Sequence, residues 1–86
     1  MTTLLFETTD LYLASALKTA LRLPFPEIHL NDRFSTFRFQ VNPAEAQRVA
    51  EEFYNSTLRL DAREFSFTLR DLKALLCQKR GVKTTK

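Results

Sequence analysis

The sequence predicts an α+β domain: a three-stranded sheet with helices packed on one face, in the order β-α-β-β-α-α. Three observations carry this. From Arg33 to Val41 the chain alternates, with Phe37, Phe39 and Val41 on one side and Thr36, Arg38 and Gln40 on the other, as in a strand with one buried face. Asn42-Pro43-Ala44-Glu45 is a helix start, and apolar residues follow it at helical spacing. Asp61-Ala62-Arg63-Glu64 repeats that chemistry before a second apolar stripe. A sheet covered on one face by helices buries all of these stripes at once.

The elements follow in order. Leu4-Leu5-Phe6-Glu7 reads as a short strand. Thr8-Thr9-Asp10 then opens a helix, with a Thr as cap and Asp10 suited to its positive first turn. That helix runs to about Leu21, because Leu13, Ala16, Leu17, Ala20 and Leu21 recur at three- and four-residue intervals, with Leu11 and Ala14 widening the face. Pro24 and Pro26 cannot continue it and lead into the strand Glu27-Ile28-His29-Leu30. Asn31-Asp32 turns the chain into Arg33–Val41, making an antiparallel hairpin that the first strand joins. Phe34 lies near the turn, outside the inward set.

The second helix spans about Pro43 to Tyr54, with Ala46, Val49, Ala50, Phe53 and Tyr54 on its apolar face, and Asn55-Ser56 ends it. The last helix carries Phe65, Leu69, Leu72, Leu75 and Leu76 along one side, and Gly81 is a left-handed stop. The expected shared core is Leu13, Leu17, Phe37, Phe39, Val49, Phe53, Leu69, Leu72 and Leu76.

The 86 residues suffice for one domain. We place it at residues 1–78, followed by a basic tail at 79–86. The net charge is +3, but Lys79, Arg80, Lys83 and Lys86 alone carry four positive charges, so the folded body is close to neutral. The basic character belongs to the tail and does not make the whole chain a nucleic-acid binder. The start of the chain has the features of neither a signal peptide nor a membrane span, and the expected location is the cytoplasm.

Catalytic chemistry finds little to work with. One Cys, Cys77, and one His, His29, cannot supply a tetrahedral zinc site, and they fall on different elements with nothing to bring them together as nucleophile and base. Their ordinary reading is a small packed thiol and a partly exposed strand histidine. Glu51 and Glu52 point about 100° apart on a helix and do not form an acid–base pair. Phosphate loops need glycines, and the only Gly is Gly81. We therefore expect no enzyme activity, no cofactor and no metal.

Thr8-Thr9-Asp10-Leu11-Tyr12-Leu13-Ala14, Phe37-Arg38-Phe39, Glu52-Phe53-Tyr54-Asn55 and Leu69-Arg70-Asp71-Leu72-Lys73-Ala74-Leu75-Leu76 together give the chain its family character. Over residues 5–76 it resembles an uncharacterised bacterial and phage family known only as a domain of unknown function. The resemblance implies a stand-alone small protein, often from a phage or mobile-element setting, and carries over no functional residue. Arg22-Leu23-Pro24-Phe25-Pro26 departs from that pattern, since a glycine would commonly end the first helix.

Two functions are expected from the residues that the fold does not absorb. The first is a protein-interaction module, self-associating as a homodimer, that uses a free sheet edge and the spare apolar residues Phe25, Phe34 and Phe67. The second is a nucleic-acid-binding accessory protein using Arg33, Arg38, Lys79, Arg80, Lys83 and Lys86, with Arg59, Arg63 and Arg70 adding scattered charge. Arg33-Phe34-Ser35-Thr36-Phe37-Arg38-Phe39 interleaves basic and aromatic residues as base-stacking strands do. It lacks their glycines, however, and Phe37 and Phe39 share a face with Val41, as core residues do.

Overall fold

The alternating segment forms the central strand of the sheet. The computed structural model describes residues 4–31 and 33–81. Its elements are β1 (Leu5–Thr8), α1 (Leu11–Leu21), β2 (Glu27–Leu30), β3 (Ser35–Gln40), α2 (Pro43–Tyr54) and α3 (Ala62–Lys79). The sheet order is β1-β3-β2, antiparallel throughout. Phe6 lies opposite Phe39, and Thr8 and Ile28 flank Phe37, so these residues share the inward face. Phe37 and Phe39 are both 1% exposed.

The helices lie on that inward side. Helix α1 contacts α2, α3 and β1. Its centre is therefore buried on more than the expected stripe: Leu13, Ala14, Ser15, Ala16 and Leu17 are all enclosed. Ser15 is tolerated because its hydroxyl donates to the Leu11 carbonyl at 3.0 Å. From α2, Ala46, Val49 and Ala50 complete the core, with Phe53 packed partly buried against it. From α3 only Leu72 is fully buried; Leu75 and Leu76 pack at the margin, while Phe65 and Leu69 are half-buried.

The caps refine the sequence reading. Asp10 is itself the N-cap of α1, its Oδ1 accepting from the Tyr12 and Leu13 amides at 2.9 and 3.2 Å. Neither Thr takes that role: Thr8 ends β1, and its hydroxyl accepts from the Asp10 amide. A carboxylate, which accepts two amides at once, is the better cap. Asn42 caps α2 and Asp61 caps α3, each through one backbone amide. Among the described residues, no reciprocal bond returns from Glu45 or Glu64 to complete either capping box. Arg22 ends α1 at φ 53° and ψ 47°, so an arginine holds the left-handed position where glycine is the usual choice. Gly81 follows α3 at φ 74°, as expected.

Candidate functional site

Among the described residues, strand β2 has one partner in the sheet and its other edge is unpaired. Beside that edge runs a groove of about 620 Å³, lined by Pro26, Glu27, Ile28 and His29 on the strand side and Leu75, Gln78 and Lys79 on α3. The sequence sets up this geometry in two steps. Pro24 and Pro26 keep the approach to β2 extended, and the last turns of α3 pass alongside the strand. An exposed strand edge with a helix as the opposite wall is the arrangement that accepts an added strand.

At the Leu30 end, the groove meets a second concavity of about 340 Å³, lined by Leu30, Asn31, Arg33, Lys79 and Arg80. Lys79 borders both. Arg33, Lys79 and Arg80, distant in sequence, thus converge around one hollow. The Asn31 side chain shapes the turn by accepting from the Arg33 and Phe34 amides, both at 3.0 Å. Arg80 is held as well, donating through Nη2 to the hydroxyl of Ser35 at 3.0 Å; Ser35 is only 5% exposed. Residues 79 and 80 are thereby joined to the folded body: Lys79 is the last residue of α3, and Arg80 is bonded to the central strand.

The other expected site residues scatter. Arg38 lies on the open face of the sheet, where its Nε donates to Glu7 Oε2 at 2.6 Å and its Nη1 is 3.9 Å from Glu27 Oε1. Its charge is compensated there, away from the Arg33, Lys79 and Arg80 hollow. Lys83 and Lys86 lie outside the described residues. Phe25, Phe34 and Phe67 are all exposed and come from three different segments, although Lys18, whose ammonium lies over Phe25, also shares a shallow hollow with Phe67. Phe25 sits in the α1–β2 connection with the Lys18 ammonium 4.4 Å from its ring centre. Phe67 lies on α3 near the guanidinium groups of Arg63 and Arg70, at 5.7 and 5.0 Å. Phe34 belongs to the turn beside the cationic hollow.

His29 is an exposed residue of β2 paired with Glu27 at 3.1 Å, and Cys77 is a half-buried free thiol on α3. Among the described residues, no three His, Cys, Asp or Glu side chains are grouped to hold a metal ion, and no helix is long and apolar enough to cross a membrane. Comparisons with protein-family models, with curated proteins and with solved structures returned no match.

Alternation along β2 made the strand legible in the sequence, but not the groove beside it, since that depends on how α3 is laid down. The meeting of Arg33 with Lys79 and Arg80 was equally hidden. Its only sequence signal is that a turn and a helix end both carry cations.

Proposed function

We propose that this chain is a non-enzymatic protein-interaction module that receives an extended segment as a fourth strand along β2, with α3 as the far wall of the groove. It serves as an accessory protein in the cytoplasm, and the family it resembles implies a bacterial or phage setting. The observation that carries this reading is the β2 edge, unpaired among the described residues, lying alongside a groove of about 620 Å³. A free edge offers main-chain donors and acceptors to any extended chain, and the groove takes that chain's alternate side chains. Without an added strand, the edge is short and preceded by Pro26, which keeps it from propagating into aggregates.

In the pure protein, the strand comes from a second copy. Antiparallel pairing with Ile28 opposite its own copy sets Glu27 opposite His29 on both sides of the two-fold axis. Amide hydrogen exchange across a concentration series tests this. The expected result is slowed exchange within residues 27–30 as the dimer forms, reversed by Gln78→Trp, which fills the groove without touching the core. A dimer whose residues 27–30 exchange at the monomer's rate would place the interface elsewhere.

The convergence of Arg33, Lys79 and Arg80 favours a second reading, a nucleic-acid accessory protein. Three cations on duplex DNA would contribute a salt slope of at most about 2.7 in magnitude. An affinity for duplex that does not change with salt would exclude this hollow as its source.

A further inference from the structure

We infer that the preferred occupant of the β2 groove is an extended segment of another protein, antiparallel to β2, whose first residues are acidic. This rests on the strand-addition reading above and adds the partner's chemistry to it. The groove is polar in a directed way. At its start stands Glu27, with a side chain 68% exposed, and at its end stand Arg33, Lys79 and Arg80. Among the described residues no carboxylate lines the cationic hollow.

A second copy of this chain is a poor match for that end. Its β2 carries one acid, Glu27, which in the symmetric register faces His29 and leaves the three cations unanswered. Nucleic acid matches the hollow but not the groove that continues from it. Along β2 it meets Pro26, Ile28, Leu75 and Gln78, then the Glu27 carboxylate, which repels a phosphate chain. A peptide with acids at one end only satisfies both parts. β2 runs toward the cations, so an antiparallel strand begins there, and antiparallel pairing is the more stable kind.

The test is a nuclear magnetic resonance titration of the isotope-labelled full chain with short blocked peptides. All share a body of alternating Val and Ser and differ in two N-terminal residues: Glu-Glu, Gln-Gln or Lys-Lys. A fourth carries Glu-Glu at its C-terminal end. The Glu-Glu peptide is expected to shift resonances of residues 27–30 and 75–79 and to bind about tenfold more tightly than the Gln-Gln peptide at low salt, in keeping with a few partly exposed ion pairs. The advantage should vanish in the Arg33→Gln, Lys79→Gln double variant, in which Arg80 keeps its bond to Ser35. Equal affinity for all peptides would overturn the acidic preference and leave strand addition standing, whereas no shift in residues 27–30 with any peptide would overturn both. Tighter binding of the C-terminal Glu-Glu peptide would overturn the orientation. An oligothymidylate that binds the hollow more tightly than the Glu-Glu peptide would assign it to nucleic acid instead.

Discussion

The Tyr54 hydroxyl donates to Asp10 Oδ2 at 2.9 Å while Asp10 Oδ1 accepts the first amides of α1, so one carboxylate both caps a helix and ties down the end of another. Tyr54 is 62% exposed, although the helical pattern of α2 places it among core residues. Its phenol turns outward because the polar end has a partner at the surface. The Asp10 bond is the main cause that raises the phenol's pKa above that of an ordinary tyrosine; burial and the carboxylate's charge add to it.

Folding therefore favours protonated Tyr54. That stabilisation is fully present below the unfolded tyrosine pKa of about 10 and is lost as pH rises through the higher folded value. Ultraviolet titration should show one phenol, absent in Tyr54→Phe, ionising above the normal range. Asp10→Asn should return it toward normal while keeping the cap. Asp10→Ala should also cost about 1 kcal/mol in chemical denaturation from loss of the cap.

Truncating Phe39 to Ala should destabilise the domain by about 3–5 kcal/mol, enough to unfold much of a protein this small. Phe34→Ser, at an exposed turn position, should change stability by no more than about 0.5 kcal/mol. Urea denaturation of the two variants checks both figures, and comparable losses would show that the inward face of β3 is misassigned.

Replacing Arg22 by Gly should raise stability by about 0.5–1 kcal/mol, since the residue ends α1 in a left-handed conformation that costs an L side chain energy. Gly81→Ala should act in the opposite sense through the backbone alone, because among the described residues nothing beyond its chain neighbours lies within 4 Å of the added methyl position. Thermal melts of the two variants moving in the same direction would contradict this.

On the open face, Glu7, Arg38 and Glu27 lie side by side across the three strands. All three are solvated, so Arg38→Ala should cost less than about 1 kcal/mol, and the loss should shrink in high salt. Denaturation at two salt concentrations measures it. A large, salt-independent loss would mean that Arg38 matters through packing.

Much of the fold was legible because its signals are local. The alternation about Phe37 and Phe39 and the Asn42-Pro43 start depend only on neighbouring residues, and the three strands and three helices stand where those patterns put them. Nonlocal choices were not legible. Asp10 replaces Thr as the cap because it can serve the α1 amides and Tyr54 together. Leu69 is half-buried because α3 meets the core chiefly through Leu72, Leu75 and Leu76. Arg80 reads as tail in the sequence, but its partner Ser35 is 45 positions away and buried. The candidate site was hidden for the same reason: its edge belongs to β2, while its wall and most of its charge come from the end of α3.

The most direct test of strand addition is the affinity of the Glu-Glu peptide after N-methylation of alternate backbone amides, in the two possible registers. Methylation keeps every side chain and charge but removes donors along one edge of the peptide. The account predicts that methylating the edge that faces β2 abolishes binding, while methylating the other leaves affinity within about twofold. Equal tolerance of both would show that the groove holds its partner by side chains alone and would contradict a fourth strand on β2.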